Sequence, residues 1–284
     1  MAQFINQAQL SYNNTTVNSN VVVGEILEVV SATKTAIGNT YSADGTVSYA
    51  ISVINSGNTP ITNLTITDDL GTYVSGANTL TPLSYVEDSA RLFINGVLQP
   101  TPTVVAGPPL TVSAITLPAD SELVLVYNAS VNQYAPLGVL DSIVNTATVT
   151  GNGIPTPITA TETVTPVEEP QLNITKSLEP VPVAENGILT YRFVIENFGN
   201  LAAVATDNVA LSDLFDPILS GISVTLDGVA LAEGTGYTYN ETTGQFNTVA
   251  GQITVPAATY TQDPTTGVWS VTPGVAVLVV SGTV

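Results

Sequence analysis

The chain repeats itself. ATKT at 32–35 returns as ITKS at 174–177, and YAISVINSGN at 49–58 returns as YRFVIENFGN at 191–200, both at an offset of 142 residues (Lys34 to Lys176, Gly57 to Gly199). LTITDDL at 64–70 returns as VALSDLF at 209–215, and ELVLVYNASV at 122–131 returns as VAVLVVSGTV at 275–284. Each copy is a series of short alternating apolar runs divided by Gly, Pro, Asn and Asp, the pattern of strands joined by turns. Two such units in series predict an all-β chain of two tandem immunoglobulin-like β-sandwich domains. With 284 residues there is room for a core in each.

The second copy stops short of the first. After residue 131 the first copy continues with SIVNTATVT at 142–150 and ITATETV at 158–164, and the second has neither. The missing text stands at the other end. FINQAQLS at 4–11 aligns with IVNTATVT at 143–150, and VVVGEIL at 21–27 aligns with the strand at 158–164. The expected divisions are therefore 1–27 as N-terminal donor strands, 28–165 as the first sandwich and 166–284 as an incomplete, accepting sandwich. A sandwich lacking a strand leaves an apolar groove and an unpaired edge. Another copy's N-terminal strand can fill it, which is donor-strand complementation. The anchoring face of that strand is Phe4, Ala8, Leu10 and Tyr12. Closure within one chain is disfavoured: the link from Tyr12 to Val21 spans roughly 28 Å at full extension, and the first domain lies between donor and acceptor. Head-to-tail pairing of identical subunits gives an open filament. A fragment cut from a longer array of repeats is the other reading.

Composition removes several function classes. There is no Cys, hence no disulfide framework or thiolate zinc site, and no His, the commonest general base. The net charge of −19 with only four basic residues repels nucleic acid and anionic membranes, so neither is an expected partner. No apolar run is long enough for a membrane helix. The N-terminus lacks the basic and apolar regions of a secretory signal. Release from a lysing mother cell is one route that such a chain suggests. No EF-hand spacing appears, and no cofactor or metal is expected.

Polar residues interrupt three apolar strand faces, twice over. Lys34 stands among Val30, Ala32 and Ala36, and Lys176 among Leu172, Ile174 and Leu178. Asp68 stands among Leu64, Ile66 and Leu70, and Asp213 among Val209, Leu211 and Phe215. Asn145 stands among Ile143, Ala147 and Val149, and Asn6 among Phe4, Ala8 and Leu10. The chain's two lysines hold the same position in the repeat. Burying such groups costs several kcal/mol unless they pair. Apolar surroundings lower a lysine pKa and raise that of an aspartic acid. A neutral amine can then attack an Asn side-chain carbonyl while the acid relays protons and ammonia leaves. The product is a Lys–Asn isopeptide bond. A hydrogen-bonded Lys–Asp–Asn cluster and a simple Lys–Asp pair are the non-covalent alternatives.

The ATKT/ITKS segment, the NxGN turn, the TDDL/SDLF segment and VNTATV resemble a conserved repeat domain of unknown function (number eleven) found in tandem on bacterial surface proteins. The Lys, Asp and Asn placement is also similar to isopeptide-forming domains of Gram-positive pili and adhesins. That resemblance implies Lys34 and Lys176 as nucleophiles, Asp68 and Asp213 as proton shuttles, and Asn145 and Asn6 as acceptors. Asn6 lies at the wrong end of the chain for its own domain, which implies a bond between subunits.

Three functions compete. The first is a structural subunit of an extracellular filament on a bacterial cell or spore, locked by isopeptide bonds. The second is a non-polymeric adhesin or stalk module, although the aromatic residues are few and spread along the chain. The third, an enzyme using two carboxylates, is set aside: Asp69, Asp120 and Glu122 read as turn or surface residues, and Asp68 alone points inward.

Overall fold

The computed structural model describes residues 2–26 and 28–284, and among them every regular element except one short 3-10 turn is a strand. Met1 and Leu27, the ends of the expected donor segment, lie outside the described residues. Strands β1 (Ala2–Asn6), β2 (Gln9–Tyr12), β3 (Thr15–Asn18) and β4 (Val22–Ile26) make one bent hairpin, in which β1 pairs with β4 and β2 with β3. Asn13 and Asn14 form its turn with φ of 43° and 61°, the left-handed pair that a tight hairpin demands. The sequence reads as one strand over 4–11. A bulge divides it, because Gln7 and Ala8 face the longer stretch 19–21. The text alignment sets Glu25 opposite Asn6, as Glu162 is opposite Asn145, but the hairpin sets Val22 there. The tight turn and the bulge impose that register, and the Phe4 ring lies over Gly24, where a Cβ would collide with it. Among the described residues no other strand pairs with this hairpin, and Phe4, Ile5, Leu10, Tyr12 and Val17 remain exposed.

The first sandwich runs through β5 (Val30–Ile37), β6 (Thr40–Tyr41), β7 (Thr46–Asn55), β8 (Ile61–Asp68), β9 (Tyr73–Ser75), β10 (Asn78–Leu80), β11 (Leu83–Tyr85), β12 (Arg91–Ile94), β13 (Val97–Leu98), β14 (Thr103–Val105), β15 (Leu110–Leu117), β16 (Ser121–Val131), β17 (Ile143–Asn152) and β18 (Ile158–Pro166). One sheet has the order β13-β12-β16-β7-β5, with β11 also on β16; the other is β14-β15-β8-β17-β18-β6. Alternate residues point between the sheets, so Tyr49, Ile51, Leu64, Ile66, Leu123 and Tyr127 are buried and the residues between them are not.

The second sandwich contains β19 (Leu172–Glu179), β20 (Ile188–Asn197), β21 (Ser212–Leu214), β22 (Ser220–Leu226), β23 (Val229–Ala230), β24 (Tyr237–Asn240), β25 (Gln245–Thr248), β26 (Thr259–Gln262), β27 (Trp269–Thr272) and β28 (Gly274–Thr283). Its first sheet, β19-β20-β28-β22-β23, repeats the five-strand path of the first domain's, without a described counterpart of β11, and its second has three strands, β21-β25-β24. The difference that bears on the site lies in the second sheet. In the first domain β8 lies between β15 and β17, and β18 packs against β5. In the second, β21 pairs with β25 on one edge and with no described strand on the other, and every residue of β19 is exposed.

The repeated NxGN turn is scaffold. Asn55 and Asn197 are fully buried, and each side-chain amide donates to two backbone carbonyls across the sandwich: Thr59 and Pro118 for Asn55, Leu201 and Pro256 for Asn197. Asn200 ties the domains together by donating to the carbonyls of Leu137 and Val167, both at 3.0 Å. The β26–β27 hairpin also reaches the first domain, where Gln262 Nε2 donates to the Tyr73 hydroxyl at 2.8 Å and the Trp269 amide donates to the Gln133 carbonyl at 3.0 Å.

Candidate functional site

In the first domain three elements meet around one buried charge. Lys34 comes from β5 in one sheet; Asp68 and Asn145 come from β8 and β17, which are neighbours in the other. Lys34 Nζ donates to Asp68 Oδ2 at 2.6 Å, and both side chains are sealed from water, at 0% and 1% exposure. Asp68 Oδ1 accepts from the Leu70 amide at 3.0 Å. The Tyr49 ring lies under the ammonium at 4.8 Å. Burial pushes the Lys34 amine below its usual range and outweighs the opposing pull of Asp68.

A fourth residue, absent from the sequence reading, joins these groups. The Tyr127 hydroxyl donates to Asp68 Oδ2 at 2.7 Å and accepts from Asn145 Nδ2 at 3.2 Å. Burial first, and then the Asp68 charge, push its phenol well above the usual tyrosine range. Asn145 Oδ1 is buried with no hydrogen-bond partner, and so is the Tyr49 hydroxyl. Asn145 lies close enough to Tyr49 to offset part of the rise that burial imposes on that phenol, without closing a hydrogen bond of normal geometry. A buried carbonyl oxygen with no donor is uncommon and costly. The sequence signal for Tyr127 was its place on the inward face of β16, where the repeat sets Val280 against it.

The second domain assembles half of this arrangement. Lys176 bonds to Asp213 Oδ2 and lies over the rings of Tyr191 at 4.4 Å, Phe193 at 5.5 Å and Phe215 at 5.5 Å. Leu172, Ile174, Lys176 and Leu178 share a face in the sequence reading, but that face is open: the Lys176 side chain is 39% exposed and that of Asp213 is 19% exposed. The physical reason is the bare edge of β21, which leaves no counterpart of β17 and β18 over them. Within the described residues Asn6 is not beside Lys176; it sits in the exposed hairpin opposite Val22. The two copies also differ in packing. Tyr49 stacks on Tyr127 of its own sheet at 5.6 Å, whereas Tyr191, whose cross-strand partner is Val280, stacks on Phe215 at 4.7 Å. The rings that look scattered in the sequence form a chain in the second core, through Tyr191, Phe215, Phe246 and Tyr237. All four are buried, so they make core and not a surface site.

The other acids have structural work. Asp69 Oδ1 accepts from the amides of Gly71 and Thr146, both at 2.9 Å, and so fastens β17 beside β8. Asp120 occupies a turn with φ of 47°, and exposed Glu122 accepts from the Ser52 hydroxyl. Among the described residues no group of three His, Cys, Asp or Glu side chains could hold a metal, and no helix is long and apolar enough to cross a membrane.

No family model matches the chain, and no curated protein does. Solved structures that resemble it include the major pilin subunit BcpA of Bacillus cereus (13% identity, 95% of this chain and 73% of that one, TM-score 0.38). Others are the pilus backbone RrgB from Streptococcus pneumoniae (12%, 86% and 55%, 0.36) and a collagen-binding domain from a Staphylococcus aureus adhesin (11%, 50% and 99%, 0.31). Scores and identities this low establish neither a shared family nor a shared function.

Proposed function

We propose that this chain is a structural subunit of an extracellular filament on a bacterial cell or spore surface, built head to tail by strand donation and locked by Lys–Asn isopeptide bonds. The observation that carries the reading is a match between two bare surfaces. The free edge of β21 and the exposed face of β19 lie where β17 and β18 cover the first domain. The N-terminal hairpin offers strand text like that of β17, with exposed apolar side chains and no further strand paired to it among the described residues. A lone two-stranded hairpin is marginal in water, so both surfaces gain by meeting.

The first domain supplies the register. β17 sets Ala147 opposite Asp68 and Val149 opposite Ile66. Carried over, the hairpin of a second copy sets Ala8 opposite Asp213 and Leu10 opposite Leu211, and brings Asn6 into the place of Asn145. The donated strand then covers Lys176 as β17 and β18 cover Lys34. The chemistry is a single autocatalytic event without turnover. In domain two the nucleophile and the acid are held together, and the bond waits for a partner's Asn6. Each subunit donates at one end and accepts at another, so the contact is head to tail and extends into a filament where the rotation per subunit does not close a ring. The negative surface keeps free subunits apart until this contact forms.

Deletion of residues 2–19 tests the reading, with negative-stain microscopy of purified protein. The full chain should give linear polymers and the deleted chain soluble monomers. Filaments of the same form from the deleted chain would overturn strand donation. Monomers from the full chain at every concentration would favour the stalk module.

A further inference from the structure

We infer that Tyr127 is a catalytic residue of isopeptide formation in the first domain: its hydroxyl carries a proton from Asp68 to the departing nitrogen of Asn145. The inference rests on the covalent part of the reading above. Its ground is the position of one oxygen atom, bonded at 2.7 Å to Asp68 Oδ2 and at 3.2 Å to Asn145 Nδ2. Asp68 Oδ2 also takes the Lys34 ammonium at 2.6 Å. Nucleophile, acid, phenol and leaving group therefore form one unbroken hydrogen-bonded line, closed to water along its length.

Amide exchange in such a line needs two proton movements in opposite senses. Lys34 first passes a proton to Asp68, leaving a neutral amine. The amine attacks Asn145 Cγ, and the carbonyl oxygen, free of any donor, takes up the developing charge. With Cγ tetrahedral, Nδ2 becomes basic. Tyr127 gives Nδ2 its hydroxyl proton and recovers one from Asp68. Asp68, a carboxylate again, takes the proton that the attacking nitrogen sheds. The Cγ–Nδ2 bond breaks and ammonia leaves. A Lys34–Asn145 amide, a neutral Asp68 and an unchanged phenol remain, so every atom and proton is accounted for. Without the hydroxyl, no hydrogen-bonded path joins Asp68 to Nδ2 among the described residues. The second domain holds Val280 at this position and fills the space with Phe215, so the relay belongs to the first domain alone.

Tyr41 provides an internal control. It is buried in the same core, and its hydroxyl donates to the Pro136 carbonyl, off the line of Lys34, Asp68, Tyr127 and Asn145. The full chain is made by cell-free translation, and intact mass is followed from the moment of synthesis for wild type, Tyr127→Phe and Tyr41→Phe. Each completed bond removes about 17 Da as ammonia. The expected result is that Tyr127→Phe forms the first-domain bond roughly a hundredfold more slowly, the usual worth of a positioned acid or base, while Tyr41→Phe keeps the wild-type rate. Equal rates for Tyr127→Phe and wild type overturn the relay and leave the bond. Equal slowing in both variants overturns it as well, since it assigns the effect to lost packing. Wild type that never loses mass overturns the covalent reading and the relay together.

Discussion

Leu10→Asp is the sharpest perturbation of strand donation, and its size follows from the first domain. Val149, the counterpart of Leu10, is fully buried in the sheet opposite Ile66, while its neighbour Thr148 is only half-buried. In the free chain Leu10 is 65% exposed, so pairing with a second copy removes about two-thirds of a leucine side chain from water. That burial contributes about 1–2 kcal/mol. Aspartate forfeits it and buries an unpaired charge two residues from the position facing Asp213, at a cost of several kcal/mol more. The combined loss is about 4 kcal/mol or more, roughly a thousandfold in affinity per joint. Gln9→Asp changes the charge equally but sits where Thr148 is, on the outer face, and should cost about 0.5 kcal/mol. Light scattering against concentration measures both. The Leu10→Asp chain should stay monomeric at concentrations where wild type and Gln9→Asp polymerise. Equal behaviour of the two variants would refute the transferred register.

Two further outcomes concern the first domain. Asp68→Ala should leave Lys34 and Asn145 unjoined, so its intact mass should equal that of its own sequence, whereas wild type falls short of its sequence mass by about 17 Da, and the melting temperature falls; an Asp68→Ala chain with the same ammonia deficit would show that the acid is not required. In Asn145→Ala, Lys34 stays a free amine whose folded pKa lies below its usual 10.5, so unfolding takes up a proton and stability should rise as pH climbs toward about 10. Above that it should fall, because burial raises the phenols of Tyr41, Tyr49 and Tyr127 and their unfolded forms ionise first. On the proposed bond, Lys34 of wild type has no titrating amine and the rising limb should be missing; melting curves across pH compare the two.

The repeat made the architecture legible, because period-two faces and turn residues are local properties. Lys34 and Asp68 were legible for the same reason: each is the polar exception on an apolar face. Tyr127 was not, since an inward tyrosine in a strand looks like ordinary core until its hydroxyl is placed between two polar groups on another sheet. The break in the first strand was hidden too. Nothing in FINQAQLS marks a bulge, which arises from pairing with a longer opposing stretch. The exposure of Lys176 could not be read from its own strand, because it depends on an edge of β21 that pairs with no described strand. The stacked rings of the second core are far apart in sequence and meet only through the sheet pairing.

The most direct test of the central claim is a peptide. Filaments are boiled in SDS, digested and analysed by mass spectrometry for the segment carrying Asn6 joined to the segment carrying Lys176. The account predicts one branched species, lighter than the sum of its parts by about 17 Da, present in assembled protein and absent from Asn6→Ala, Lys176→Ala and Asp213→Ala. Free Lys176 and unmodified Asn6 throughout wild-type filaments would contradict covalent locking between subunits.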